Sequence, residues 1–182
     1  FQSSPSPLYA VLDGDVISQE GRALYDSVVM ELSDNPKTTG LPIGIWSVLE
    51  ESRTTNSELD ALMNGLSDDE SSWSALETWL LTEEGRNISS GNLNSDASQT
   101  VISFQAATLD WQATADFESD LSANLADIAD ESDGDFIVQL SGRSLILAQV
   151  TADVADSAVI STGTVAAVIL LMLVGINTVR QK

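Results

Sequence analysis

Residues 157–179 read SAVISTGTVAAVILLMLVGINTV, from Ser157 to Val179, and contain no charged side chain. As an α-helix these 23 residues measure about 35 Å at ~1.5 Å per residue, which exceeds the ~30 Å hydrocarbon core of a bilayer. The alternative is a buried helix of a soluble domain, but such helices rarely run this long without a charged face. The stretch therefore predicts a transmembrane span bounded by Ser157 and Val179.

The charges on the two sides of this span predict its orientation in the cell membrane. All 28 acidic residues and five of the seven basic residues precede it, so the preceding part carries a net charge of −23. Arg180 and Lys182 make the C-terminal end basic. The positive-inside rule then predicts a cytoplasmic C-terminal end and an extracytoplasmic location for residues 1–156. Because two basic residues are a thin signal, a tail-anchored protein with its acidic part in the cytosol is the alternative.

Composition restricts the chemistry that the chain can perform. It has neither Cys nor His, so it lacks disulfides, the usual nucleophile–base pairs and the usual transition-metal ligands. We therefore expect no enzymatic activity, no catalytic residue, no cofactor and no metal site. The negative charge argues against nucleic acid as a partner. Interspersed acidic residues with little lysine indicate a surface suited to high salt, where repulsion between like charges is screened.

The N-terminal residues 1–7 are rich in Ser and Pro and predict a linker. They include no initiator Met, no basic region and no apolar signal segment. If the acidic part lies outside the membrane, an upstream signal must have directed it there. We therefore expect the chain to be a piece of a longer protein or a processed form.

The first half of the acidic part predicts a strand, a helix and a second strand. The apolar run at residues 8–12 predicts a buried strand, and Ser18 is placed to cap the helix that follows. One face of this helix is apolar at every fourth position, at Leu24, Val28 and Leu32. An Asn-Pro pair at residues 35–36 ends it. Residues 41–48 predict the second strand.

The middle of the chain predicts two short helices, at residues 57–66 and 71–82. The acidic triplet at residues 68–70 has two interpretations, a cation site or acidic residues favoured by a helix N-terminus, and the second is favoured. Asn87 begins an Asn-Ile-Ser sequon that we expect in a loop, where it would be a glycosylation site if the domain is outside. Residues 91–95 predict a flexible surface loop.

The second half repeats the order of the first. Residues 100–106 predict a strand, and Asp110 or Thr114 is placed to cap the next helix. The apolar stripe of this helix comprises Phe117, Leu121, Leu125 and Ile128. Residues 130–135 (DESDGD) predict a turn, because their spacing does not match a calcium-binding loop. Residues 136–140 predict the last strand.

These elements predict an α+β domain over residues 8–142. Its two strand–helix–strand halves would form a four-stranded sheet with two helices on one face, a split β-α-β or ferredoxin-like arrangement with inserted short helices. A continuous helix is predicted for residues 143–182, since Arg143 begins an apolar pattern without Gly or Pro until Gly163. Such a helix would couple the domain rigidly to the span at 157–179, whereas a simple anchor usually has a flexible linker.

The order of these elements resembles the resistance–nodulation–division (RND) superfamily, and most closely its MmpL-like and archaeal exporter branch. Residues 140–147 (LSGRSLIL) carry the resemblance, since they lead from the last strand into a membrane helix that ends at residues 178–180 (TVR). In that family an extracytoplasmic loop contains β-α-β porter subdomains, and its last strand continues through a Gly-containing turn into a membrane helix. The resemblance, over residues 8–180, implies a fragment comprising one porter-like loop and the helix after it.

Two functions follow for this chain. The resemblance implies part of an exporter of lipophilic or amphiphilic substrates, with the lipid bilayer and the remaining transmembrane helices of the parent transporter as partners. The ion-coupling acidic residues of the family lie in later membrane helices, so no site is carried over. The alternative is a single-pass, membrane-anchored surface domain with a binding or structural role. The two differ in whether the reading frame continues past Lys182 into further apolar spans.

Overall fold

A computed structural model describes residues 7–107, 111–132 and 135–142. Their helices and strands are, in order, β1 (Pro7–Asp13), α1 (Gln19–Asp34), β2 (Thr38–Ile43), α2 (Ile45–Ser52), α3 (Ser57–Asn64), α4 (Glu70–Leu80), α5 (Glu83–Ser89), β3 (Gln99–Ala106), α6 (Trp111–Asp130) and β4 (Ile137–Ser141). The strands form one four-stranded sheet in the order β2-β3-β1-β4, and every pairing in it is antiparallel. The domain is therefore α+β, as the sequence predicts.

Helix α1 has the boundaries that its sequence specifies. The side-chain oxygen of Ser18 accepts a hydrogen bond from the backbone N–H of Gly21 at 2.9 Å, which satisfies one of the free donors of the first turn. Asn35 follows the helix in an extended conformation, which the residue before a proline favours. The predicted stripe of Leu24, Val28 and Leu32 is buried, so the predicted helix and its register are confirmed.

Helix α6 packs beside α1 over the same face of the sheet. Its buried residues Phe117, Leu121 and Leu125 belong to one core with the inward residues of β1 and β3, and Ile128 is partly buried against that core. The predicted stripe is confirmed. The helix begins at Trp111, so Thr114 lies inside it and the prediction of Thr114 as the cap is wrong. Asp110 lies outside the described residues.

The sheet buries one face only. Alternate residues of β1 point into the core, and these are Leu8, Ala10 and Leu12. The residues between them face away from the helices, and Tyr9 is 36% exposed. The prediction of a strand at residues 8–12 is confirmed, but only one of its sides is buried.

Four helices lie between β2 and β3, where the sequence predicts two. Residues 45–48 were expected in a strand, and this prediction is wrong because they belong to α2, whose Ile45, Trp46 and Leu49 are buried. Spacing of i, i+1 and i+4 is helical rather than alternating. Gly44 lies between β2 and α2, where the backbone passes close to the ring of Tyr25. Any other residue here would place a Cβ 2.8 Å from that ring, so glycine permits the close approach.

The segment after α5 is bonded to the edge of β3 rather than free. Asn92 O accepts hydrogen bonds from Val101 N at 2.8 Å and from Thr100 Oγ1 at 2.8 Å. Asn94 Oδ1 accepts a hydrogen bond from Gln99 N at 2.9 Å, and Leu93 is buried. The predicted loop at residues 91–95 is confirmed, since these residues lie between α5 and β3, and its polar backbone groups are satisfied by the neighbouring strand. Its flexibility stays a prediction.

The predicted ends of the chain lie largely outside the described residues. Of the predicted linker at residues 1–7, only Pro7 is described, and it is the first residue of β1. The predicted helix at residues 143–182, with the span from Ser157 to Val179, lies outside them altogether. Among the described helices, none combines the length and the apolar character that crossing a bilayer requires.

Candidate functional site

An acidic groove of about 330 Å³ lies between the start of α1 and helix α4. It is lined by the carboxylates of Asp15, Glu20, Asp68, Glu70 and Glu77, with Trp73 beside them. Gln19 Nε2 donates a hydrogen bond to Asp68 Oδ1 at 3.3 Å and so links the two sides. The groove therefore includes two members of the acidic triplet at residues 68–70 whose role the sequence left open.

The third member of that triplet has a structural role. Asp69 is the N-cap of α4, and its carboxylate accepts hydrogen bonds from the hydroxyl of Ser71 at 2.6 Å and from the backbone N–H of Ser71 at 3.3 Å. These bonds to the hydroxyl and the N–H of Ser71 hold the pKa of Asp69 below its usual value. Across residues 7–107, 111–132 and 135–142, no group of three acidic side chains is arranged to hold a metal ion. Asp69 at the N-cap and Glu70 in the first turn therefore lie at the helix N-terminus, as the favoured interpretation predicts.

A second groove, of about 640 Å³, runs between α1 and α6. Its wall includes Met30, which is 63% exposed, and the carboxylates of Glu20, Glu31 and Asp34. Asn124 Nδ2 donates a hydrogen bond to Glu31 Oε1 at 2.8 Å across the two helices. Sequence reasoning did not find this groove, because it depends on how two helices far apart in sequence pack together.

Trp46 connects three of the helices at the core. The Arg22 guanidinium lies 4.5 Å from the centre of the Trp46 ring, and the Arg22 side chain also pairs with Asp26 at 2.9 Å. The Trp73 ring meets Trp46 edge-on at 6.0 Å. Aromatic and cation–π contacts of this kind are stabilising. This arrangement holds α1, α2 and α4 together and presents no reactive group.

The outer face of the sheet differs from the rest of the surface in charge. Opposed residues of antiparallel strands share a face, so the pairings Val11–Val101, Tyr9–Ser103, Tyr9–Ser141 and Val11–Gln139 place these side chains together. We call this surface the outer sheet face. Its members are Pro7, Tyr9, Val11, Asp13, Thr39, Ile43, Gln99, Val101, Ser103, Gln105, Ile137, Gln139 and Ser141.

The outer sheet face has an apolar centre and almost no charge. Val11 and Val101 are partly exposed at its centre, while Ile43 is 52% and Ile137 57% exposed at its two sides. Asp13 is the single charged member, and its carboxylate accepts a hydrogen bond from Gln99 Nε2 at 2.5 Å. On a chain with a net charge of −21, such a surface is unusual. Apolar surface flanked by polar residues is typical of a contact site.

Asn87, the predicted glycosylation site, lies on α5 rather than in a loop. Its side chain is exposed, but Ser89 of the same sequon is 2% exposed and belongs to the last turn of the helix. The expected loop is wrong because Thr82 caps a helix here, with its Oγ1 accepting a hydrogen bond from Gly85 N at 3.2 Å. Glycosylation of Asn87 stays a prediction.

Comparisons of the chain with protein-family models, with curated proteins and with solved structures found no match. The functional assignment therefore depends on the fold, on the outer sheet face and on the sequence that follows β4. Of the three candidate surfaces, both grooves are acidic, as most of the protein surface is. The outer sheet face differs because it carries almost no charge. We take the outer sheet face as the candidate functional site.

Proposed function

We propose that the chain is part of a membrane transporter of the RND superfamily, comprising one extracytoplasmic domain and the transmembrane helix that follows it. The observation that carries the proposal is the position of β4. This strand lies at the edge of the sheet and ends at Ser141, so only residues 142–156 separate the sheet from the uncharged stretch at 157–179. A folded domain joined so closely to a span is suited to moving with it.

We further propose that the domain is ferredoxin-like, with α2–α5 inserted between its halves. In support, the six elements β1, α1, β2, β3, α6 and β4 follow the β-α-β-β-α-β order of that arrangement. The sheet order β2-β3-β1-β4 places the first and third strands at the centre, and the pairing is antiparallel throughout. Porter subdomains of RND exporters have this type of β-α-β organisation, so the proposed fold and the proposed family support one another.

The proposed role is mechanical contact rather than catalysis. The outer sheet face offers apolar contact area outside the membrane, where a lipophilic substrate or a neighbouring part of the transporter would be met. The acidic helices face solvent on the other side of the sheet, and exposed residues of α6 such as Asp120 and Asp127 illustrate this. In this proposal the bilayer and the remaining transmembrane helices are the partners, and residues 1–156 are extracytoplasmic.

A test in the full-length parent protein separates a transporter segment from a simple anchor. Insertion of Gly-Ser-Gly after Asp153 is expected to abolish transport while membrane insertion and folding persist, because the rigid connection to the span is interrupted. The same insertion after Thr54, an exposed residue between α2 and α3, is the matched control and is expected to preserve transport. Transport at the native rate with the Asp153 insertion would contradict rigid coupling.

The reading frame and the detergent phase supply two simpler tests. The transporter proposal predicts that the reading frame continues past Lys182 into further apolar spans. It also predicts that the present chain partitions into the detergent phase of a cloud-point separation. A frame that ends near Lys182 would favour the single-pass, membrane-anchored surface domain, whereas a chain found only in the aqueous phase would contradict both membrane functions.

A further inference from the structure

The groove between α1 and α6 has an apolar lining as well as acidic side chains. Ala23, Leu24 and Met30 of α1 contribute to this lining, together with Ile128 of α6. Met30 is 63% exposed. Methionine is common on surfaces that bind other proteins, because its flexible thioether side chain adapts to the shape of a partner. The groove therefore offers apolar contact on the helical side of the sheet, opposite the outer sheet face.

The carboxylates of this groove lie at its two ends. Glu31, near the end of α1, accepts a hydrogen bond from Asn124 in the middle of α6. Glu20, at the start of α1, lines the groove together with Glu131, which follows α6. The two helices therefore run in opposite directions. One end of the groove has Glu20 and Glu131, and the other end has Glu31 and Asp34.

Three of these carboxylates stand where helix electrostatics disfavour them. The C-terminus of a helix carries about half a negative elementary charge, so basic residues are favoured there. Helix α1 instead has Glu31 and Asp34 in its last turn, Glu131 directly follows α6, and neither helix has a basic residue in its last turn. Among the described residues, no basic side chain lines the groove or forms an ion pair with its carboxylates. A cation bound at each end would relieve this accumulation of negative charge.

The length and openness of the groove indicate the shape of its occupant. From Glu20 to Asp34 the helix α1 rises about 21 Å, which is the length of a helix of about 14 residues. The groove is open to solvent along this distance, since Ala23 and Met30 are exposed. A pocket for a small molecule normally encloses most of its ligand. An amphipathic helix, in contrast, is bound along one side by an open apolar groove.

We propose that the groove between α1 and α6 binds an amphipathic helix of a partner protein, with basic residues near both ends of that helix. The apolar face of the partner helix packs on Met30 and Ile128, and its basic residues pair with the carboxylates at the two ends of the groove. A second copy of this acidic chain is disfavoured as the occupant, because it would bring like charges together. The inference goes beyond the proposed transport function and requires neither the predicted span nor transport.

Thiol protection in the full chain tests this contact directly. The chain is held in nanodiscs of zwitterionic lipid, and the probe is a synthetic helical peptide of about 14 residues with Leu along one face and Lys at both ends. The chain contains no cysteine, so an introduced thiol reports a single position. Ser27→Cys places that thiol in the groove, and Ser33→Cys places it on α1 outside the groove. The two positions are matched, since each serine hydroxyl donates a hydrogen bond to the carbonyl four residues earlier.

Peptide binding should protect one of these thiols only. Peptide at about ten times its Kd is expected to slow maleimide labelling of Ser27→Cys about tenfold, because roughly one groove in ten then remains free. Labelling of Ser33→Cys should not change. A dependence of the Ser27→Cys rate on peptide concentration gives the Kd.

Variants that remove charge test the two acidic ends. The double change Glu20→Gln with Asp34→Asn removes one carboxylate from each end and is expected to raise the Kd of the peptide about fivefold, since exposed ion pairs contribute modestly. The double change Asp120→Asn with Asp127→Asn removes the same charge from exposed positions of α6 outside the groove. This control is expected to leave the Kd within about twofold, because the distant charges are screened by salt.

Variants that remove an apolar side chain test the lining. Met30→Ala is expected to raise the Kd about fivefold, as truncation of a contact residue in an interface commonly does. Leu41→Ala truncates a residue of β2 that is 83% exposed and does not line the groove, so it should leave the Kd unchanged. Both side chains are largely exposed, so neither change threatens the fold.

Each other result overturns the inference in a distinguishable way. Equal protection by a peptide of the same composition with scrambled leucines would show attraction by charge alone. Protection by dodecyltrimethylammonium but not by the peptide would show a site for a small amphiphilic cation. Slow labelling of Ser27→Cys without peptide would show that the groove is already covered, by a second copy if the rate depends on protein concentration and by the chain itself if it does not. An unchanged rate with peptide would show that no such helix binds.

Discussion

Truncation of the buried leucines of α6 tests the register on which the core depends. Leu121 and Leu125 are both 0% exposed, so replacing either by Ala removes buried methyl and methylene groups and leaves a cavity. At ~0.8 kcal/mol per buried CH₂, the three lost carbon atoms alone amount to about 2.4 kcal/mol. The cavity raises the expected loss of unfolding free energy to ~3–5 kcal/mol, near the upper part of the range for such changes.

The neighbouring aspartates provide matched controls on the same helix. Asp120 and Asp127 are exposed, so changing either to Asn should alter the unfolding free energy by less than ~0.5 kcal/mol. The measurement is urea unfolding of the full chain in detergent, followed by tryptophan fluorescence from the buried Trp46. A larger loss of stability from the Asp changes than from the Leu changes would refute the packing of α6.

Three further predictions concern charge and helix capping. The melting temperature should rise between low and molar salt, because screening weakens repulsion among the carboxylates of a chain with net charge −21; an unchanged or lower value would contradict this. Ser18→Ala should lower the unfolding free energy by about 1 kcal/mol through loss of the α1 cap, while Ser33→Ala, an exposed change on the same helix, should cost little, and equal effects would argue against the cap. Ser71→Ala should raise the pKa of Asp69 in a carboxyl NMR titration, because its hydroxyl hydrogen bond lowers that pKa from 3.8. Because folding lowers the pKa of Asp69, its hydrogen bonds stabilise the folded state fully above the unfolded pKa, and this stabilisation is lost as pH falls through the folded pKa. The wild type and Ser71→Ala should therefore differ in stability at neutral pH and converge in acid.

Elements with a strong periodic signal could be predicted from the sequence. Helices α1 and α6 each carry an apolar stripe with helical spacing, β1 contains a short apolar run followed by turn residues, and β3 alternates between buried and partly exposed residues. Burial in a single core then preserves the face that the pattern indicates. The helix at residues 45–52 was missed because a short apolar run is compatible with a strand or a buried helix, and the choice depends on contacts with Tyr25.

The candidate site was harder to predict than the fold. The outer sheet face depends on strand register, which brings Val11 beside Val101 across a long interval of sequence. A local pattern shows that a strand alternates, but not which of its sides the helices cover. For α5 a local signal did exist, since Thr82 precedes two glutamates and Gly85 in the first turn, an arrangement typical of a helix N-terminus.

The strand order has a consequence for how this domain acquires its structure. Pro7 pairs with Gln105 and Tyr9 pairs with Ser141, so the central strand β1 finds both of its partners only after most of the domain has been synthesised. Contacts between such distant residues require the closure of long loops, so a domain of this kind folds more slowly than one whose contacts are local. Until β4 emerges, the apolar residues of β1 have an open edge. A ribosome that releases the chain from its N-terminus therefore delivers β1 unpaired, and the sheet is completed only when β4 has emerged.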